Sequence, residues 1–543
     1  MQYDNGGELL VAHLESLGID TVFGIVSVHN LPLVEAVDRH LRFVPVRHEA
    51  TAVNAADGHG RARGSIGCAL TSTGTGAGNA AGSLIEALSA GTAVLHVTGQ
   101  VESQYLGSGR GFIHETKDQL GMLSAVSTYA ATVTSARDAG RVLREASAAA
   151  LATPGGPASV EWPIDLQYAA QEDAGEAVPS GSGEAHSPDA AELAAAQALL
   201  AKSRRPLIWA GGGARHARPE LAALLEATGA GLLSSNSGRG SVPEDHPLVI
   251  GNFATNPAVR ALLADADVLV TIGTHFRSNE TADYNLKLPD AHIQIDADAA
   301  ALGRVYPARH ALHAEAAAVL PALTGAAARA DADWSARVTA VRDEVRAALH
   351  DDIGPQAALC DALAAALPRG AVVARDVTIP SSSWGNRLLP IHDPRANVFP
   401  RGGGIGQGLG MGIGAALARP DEPTVVIAGD GGLAVHFGEL LTVAQERPRL
   451  TLIVFNDGGY GVLRNMQDKY AERRSGVDLF TPDFGPLAAA CALPYARIAA
   501  PEEAAPVLEA ALASDGPTLV EVDLTALGPM KNPFTPPVKI PTA

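Results

Sequence analysis

Two aspartates at the ends of apolar runs have the setting in this sequence that most plainly suggests chemistry. VVIAG (425–429) leads into Asp430, and TLIVF (451–455) leads into Asn456 and Asp457. Uninterrupted apolar runs of this kind read as strands buried in a parallel sheet. Ligands of open α/β sheets gather beyond the carboxyl ends of the strands. Gly429, Gly431 and Gly432 let a ligand approach the backbone closely. The helix expected in FGELLTVAQE would aim its first N–H groups at the same spot, which favours an anion. Two carboxylates on neighbouring strand ends repel each other. A hard divalent cation such as Mg2+, taking carboxylate, carbonyl and phosphate oxygens, removes that conflict. An aspartate that merely caps a helix would account for Gly-Asp-Gly taken alone, whereas the second acid and the Gly-Gly-Tyr-Gly turn at 458–461 favour the metal.

A further acid, Glu49, stands in PVRHEATAVNAADGHGRARG, where the strand FVPV gives way to a helix. Taken alone, it reads first as a surface ion-pair partner for Arg47. In TSTGTGAGNAAGSLIEAL, Gly74, Gly76 and Gly78 open another helix, which carries Asn79. A third small-residue stretch, FPRGGGIGQGLGMGIGAAL, follows in the last third of the chain. A nicotinamide-binding reading of that stretch finds no GxGxxG, and the GxGxxA beginning at Gly410 has no strand before it.

Together these segments resemble the thiamine-diphosphate (ThDP) family that includes acetolactate synthases, benzoylformate decarboxylases and pyruvate decarboxylases. The resemblance covers nearly the whole chain in the order pyrimidine-binding, central and diphosphate-binding domain, and is loosest in the central one. It implies Mg2+ held by Asp430, Asp457 and the Gly459 carbonyl. It makes Glu49 the activating acid, a carboxyl kept protonated by an apolar pocket and sharing that proton with the cofactor's pyrimidine ring. Asn79 would lie at the pyrimidine edge, the Gly403 carbonyl would receive the amino group, and Ile405 would prop the cofactor into its bent shape. Thr378, Gly429, Gly431, Gly432 and Tyr460 complete the implied cofactor contacts. The chemistry implied is cleavage or formation of a carbon–carbon bond beside a carbonyl, with ThDP doing the hard step and the protein choosing between protonation and carboligation.

The narrower subfamily patterns fit less well. Val28 and Leu463 stand where pyruvate decarboxylases carry acids, and Val28 and Gly91 where benzoylformate decarboxylases carry a serine and a histidine. Asn279 and Met466 stand near positions of an arginine and a tryptophan in acetolactate synthases. His114, in GFIHETKDQ, falls where the resemblance puts a catalytic histidine in decarboxylases and a glutamine in acetolactate synthases. With His29, in VSVHNLP, it makes a pair of candidate proton carriers, since histidine titrates near neutrality. A histidine hydrogen-bonded in a loop is the other reading of each. His275 and Arg277 are candidates for a substrate carboxylate. A small polar 2-oxo acid or hydroxy-ketone is the expected substrate.

These residues require a scaffold of three α/β units, each a doubly wound parallel sheet: residues 1–170, a central Rossmann-like unit at 190–330, and 350–530. Alternating strand-like and helix-like segments support this in each block. Residues 171–189, rich in Pro, Gly, Ser and Glu, read as a linker, and the Pro-rich tail reads as a surface wrap. Hydrophobic residues are 47% of the 543, enough for a sizeable core, so global disorder is excluded. A net charge of −19 argues against a nucleic-acid surface. Three widely spaced cysteines and an acidic amino terminus lead to the expectation of a cytoplasmic protein without a membrane span. Because Glu49 and Asp430 belong to different units, the family pattern implies a homodimer or homotetramer clamping the cofactor between subunits. FAD in the central unit is the acetolactate-synthase-like alternative, which nothing in the sequence supports; a non-catalytic scaffold relative is the alternative of another class.

Overall fold

The computed structural model describes residues 1–173 and 187–536. Three six-stranded sheets, every neighbouring pair parallel, follow one another along the chain. The first runs, edge to edge, Arg42–Pro45, Thr21–Gly24, Gly67–Thr71, Val94–Gln100, Pro157–Pro163, Tyr129–Thr132. Numbered in chain order, that is 2-1-3-4-6-5. The third sheet repeats the same order: Asn397–Val398, Val372–Arg375, Thr424–Gly429, Leu450–Asn456, Thr518–Asp523, Tyr495–Ile498. The central sheet differs, running 3-2-1-4-5-6: Val249–Gly251, Gly231–Ser234, Pro206–Ala210, Val268–Ile272, His292–Asp296, His310–His313. That is the winding of dinucleotide-binding sheets, with a crevice where the order reverses.

The middle strands are buried at every position, as in Gly67–Thr71, Val94–Gln100 and Val268–Ile272. Helices on both faces leave them no wet side, which is why they read as continuous apolar runs. Edge strands carry a weaker signal. Tyr129–Thr132, His310–His313 and Tyr495–Ile498 are mostly half-exposed and mix polar with apolar residues, so no continuous apolar run marks them. The buried strand Pro157–Pro163 is equally muted, because flanking prolines and Glu161 break the apolar pattern.

The first and third units press backbone on backbone. Helices Glu49–Arg63 and Gly408–Ala418 cross so closely that a methyl group on Gly58 would lie 2.0 Å from the Met411 carbonyl oxygen. One on Gly414 would lie 1.9 Å from the Ala55 carbonyl oxygen. The central and third units share a continuous apolar core through the helix Ala332–Asp352, which buries Trp334, Val338 and Val345. Of the expected linker, 174–186 lies outside the described residues, and Gln171–Glu172 instead pairs antiparallel with Gln2–Tyr3. The tail lies along the surface as far as residue 536, with Asn532 donating to Asp352 at 2.7 Å; 537–543 lie outside the described residues. Among the described residues, no helix is long and apolar enough to cross a membrane.

Candidate active site

At the switch point of the third sheet, three strand ends deliver three acids. Asp430 follows Thr424–Gly429 and is 1% exposed, its Oδ2 accepting the Gly459 N–H at 2.8 Å. Burial pushes its pKa above the usual carboxylate range. Asp457 follows Leu450–Asn456, and its buried Oδ1 has no hydrogen-bond partner. Its pKa is pushed up to about 6, first by burial and then by the neighbouring Asp430, with Arg464 opposing. Arg464 reaches Asp457 Oδ2 only at 3.7 Å. A buried and a half-buried carboxylate that repel, the latter with an oxygen left open, form a donor set that a hard oxygen-seeking cation fits. Among the described residues no cluster of three or more His, Cys, Asp or Glu side chains forms that could hold a metal, and the Gly459 carbonyl lies beside Gly431 at the same spot.

The helix start at Asp430 is not the one expected. A four-residue helix, Asp430–Leu433, and a tight turn, Ala434–His436, come first, and Glu439–Glu446 begins only afterwards. The N–H groups near Asp430 therefore belong to Gly431 and its neighbours. Thr378 lies against Gly429, since a methyl group there would sit 3.0 Å from Thr378 Oγ1, and the Tyr460 ring packs on Gly431. Ile405 and Val435 stay 37% and 49% exposed, Val435 lying against Gly406, and the space beside Gly403 is open.

The third acid, Asp376, was not singled out in the sequence. It ends the run AVVARD as Asp430 ends VVIAG, which was the available signal. It is 2% exposed and accepts N–H groups of Val377 (2.6 Å), Gly406 (3.0 Å) and Gly408 (3.3 Å). Burial nevertheless pushes its pKa up to about 6.

In the first sheet, Glu49 opens the helix Glu49–Arg63, which His48 caps by accepting the Ala50 N–H at 3.1 Å. Asn79 donates to Glu49 Oε2 at 3.0 Å, and Gly76 leaves room for Oε1. The structure thus joins Glu49 with Asn79. It does not pair Glu49 with Arg47, whose guanidinium instead meets Pro45, Thr442 and Gln445. Within one chain Glu49 is half-buried, not enclosed.

His29 and His114 also meet, edge to face, with ring centroids 5.2 Å apart. His29 is 4% exposed and neither ring nitrogen has a partner. Burial, then His114, lowers its pKa, so it is neutral at pH 7. The His114 carbonyl abuts Gly74 at the head of the helix Thr75–Ala90, which connects the pair to Asn79 and Glu49. Val28 and Ile113 nearby in sequence are 62% and 68% exposed. Among the described residues, no hydrogen bond joins the Glu49–histidine group to the Asp430–Asp457 group.

A cavity of about 600 Å3 lies where the switch point of the central sheet faces the first and third units, lined by Gly212, Gly273 and Asp296 together with Arg61, Thr153 and Arg401. Asp296 keeps a buried Oδ2 without a partner there. His275 lines this cavity, and the Arg277 guanidinium donates to the Arg401 carbonyl, so neither stands free at the acids of the third sheet.

Comparison with known proteins agrees with this geometry. Three family descriptions match in order: "Thiamine pyrophosphate enzyme, N-terminal TPP binding domain" over residues 4–122, its central domain over 193–323, and its C-terminal TPP binding domain over 380–522. A probable 2-ketoarginine decarboxylase of Pseudomonas aeruginosa is 33% identical over 523 residues, covering 95% of this chain and 93% of that protein. The acetolactate synthase isozyme 2 large subunit of Escherichia coli is 29% identical over 538 residues, covering 96% of each. A probable acetolactate synthase large subunit of Methanocaldococcus jannaschii is 27% identical, covering 95% of this chain and 91% of its own.

Proposed function

The chain belongs to the thiamine pyrophosphate enzymes, of the decarboxylase and carboligase type, and on that premise we propose that it removes CO2 from a 2-oxo acid with ThDP and Mg2+. Bound ThDP supplies a carbon nucleophile and an electron sink. The observation that carries the metal is the open Oδ1 of Asp457 beside Asp430. Asp430, Asp457 and the Gly459 carbonyl would hold Mg2+, with Thr378 and the Gly431 and Gly432 N–H groups facing the diphosphate. Glu49, steadied by Asn79, would hold and return a proton at the pyrimidine ring. His114 would move a proton at the reacting carbon, with neutral His29 beside it accepting a hydrogen bond from the substrate. The histidine pair favours decarboxylation, as does Asn279 where acetolactate synthases grip a second substrate with arginine.

The relative named for 2-ketoarginine makes a 2-oxo acid with a basic tail the first substrate to test. CO2 release from 2-ketoarginine, pyruvate and benzoylformate, with and without an acceptor 2-oxo acid, decides the matter. Release matched by the aldehyde supports decarboxylation. Acetolactate from pyruvate would move the chain to the second reading, an acetolactate-synthase-like carboligase. No release from any of the three would overturn the proposal. The central cavity has the size of a nucleotide site; a yellow protein on purification would add FAD to the second reading. We further propose a homodimer or homotetramer in the cytoplasm, in which a second copy brings its Glu49 to the side of the third unit where Ile405 and Val435 are exposed.

A further inference from the structure

The segment carrying Gly403 and Ile405 is an arch pinned at both ends by other parts of the chain. At the far end Asp376 takes the N–H groups of Gly406 and Gly408. At the near end the pins come from the first and central units. Arg61, on the helix that starts at Glu49 and itself paired with Asp57, donates to the Phe399 carbonyl at 2.8 Å. Arg277, from the central unit, donates to the Arg401 carbonyl. Glu86, from the helix that carries Asn79, accepts the Arg401 and Gly402 N–H groups through one oxygen, the latter at 2.5 Å.

Glu86 is 2% exposed, and its recorded hydrogen bonds go to this segment. A carboxylate withdrawn from water is costly unless hydrogen bonds compensate it. Here the compensation comes from two consecutive main-chain donors on another unit, so the carboxylate fixes where that backbone runs. Between the pins, Gly403 sits at φ 89° with open space around it, so its position is set by its neighbours along the chain and not by packing.

We propose that Glu86 is a positioning residue for the cofactor platform: through Arg401 and Gly402 it sets the height of the Gly403 carbonyl and the Ile405 side chain. This rests on the reading that Gly403 and Ile405 face the cofactor. The arrangement makes the helix Thr75–Ala90 serve twice, steadying Glu49 with Asn79 at its start and the platform with Glu86 near its end.

The test uses the full chain, with two measurements. Hydrogen–deuterium exchange of peptides spanning 399–408, without cofactor, reads the arch itself. ThDP titration at saturating Mg2+ reads the platform, with kcat at saturating ThDP as a third readout. Glu86→Ala is expected to speed exchange at 401–406 by about tenfold or more and to weaken ThDP binding about tenfold, as loss of two such hydrogen bonds implies. Turnover at saturating ThDP should fall by less. Glu86→Gln keeps the accepting oxygen and should stay within about threefold of wild type. Unchanged exchange in Glu86→Ala overturns the proposal while leaving the reading of Gly403 and Ile405 standing. Faster exchange with unchanged affinity overturns both. If Glu86→Ala does not fold, Arg277→Ala cuts the neighbouring pin, and unchanged exchange at 401–406 in that variant overturns the arch.

Discussion

The first and third sheets are wound identically, 2-1-3-4-6-5, yet the residues at their switch points do opposite things. In the third, strand ends present Asp376, Asp430 and Asp457, three carboxyl groups crowded at one edge of the sheet. In the first, the loops after Thr21–Gly24 and Arg42–Pro45 lead to an unpartnered imidazole, His29, and a single carboxylate, Glu49. On the function proposed above, one architecture would give an anchoring end and a proton-handling end. The winding decides where a ligand lies, and the loops beyond the strands decide what is done to it.

That division of labour can be broken at either end. The largest effect is expected at the anchor. Asp430→Asn should abolish Mg2+-dependent ThDP binding, seen as loss of the calorimetric signal, and activity should fall with it; an Asn variant that still binds ThDP in a Mg2+-dependent way would remove Asp430 from the metal site. Next comes the proton-handling end: Glu49→Gln should bind ThDP within a few-fold of wild type while turnover drops by about 10²–10⁴, the usual range for losing a positioned acid–base group. Loss of binding in that variant would mean the two ends are not separable.

The smallest effect concerns Asp376, an acid buried at the anchoring end without a role as ligand. Its pKa is raised from 3.8 to about 6 in the fold, so its contribution to stability is fullest below about pH 3.8 and is lost as pH rises through 6. The loss is on the order of 2–3 kcal/mol. Asp376→Asn cannot ionise, so its melting temperature relative to wild type should be higher at pH 7 than at pH 5. A difference independent of pH would show that the Gly406 and Gly408 N–H groups fully stabilise the ionised form.

Much of this was readable in the sequence because buried parallel strands announce themselves. VVIAG and TLIVF are apolar without interruption, and the acids that end them needed no tertiary information. The half-wet edge strands, such as Tyr495–Ile498, lack that contrast with surrounding loops. The family likeness directed Glu49 and Asn79 separately to the pyrimidine, but neither the bond between them nor the freedom of Glu49 from Arg47 followed from it, the latter because Arg47 is claimed by Thr442 and Gln445 almost 400 residues away. Glu86 was hidden for the same reason. In SLIEALSA it reads as an ordinary helical glutamate, and only the return of the chain at 401–402 gives it a task.

The contact of Gly58 with Met411 has a mechanical corollary. Where two backbones touch with no side chain between them, there is no compliant layer to absorb displacement, and the acid-bearing helix and the helix following the platform behave as a single lever. In a dimer that shares its coenzymes crosswise, tilting that lever to tighten one reaction chamber would shift the proton donor of the other, so the twin centres would be geared together and not independent.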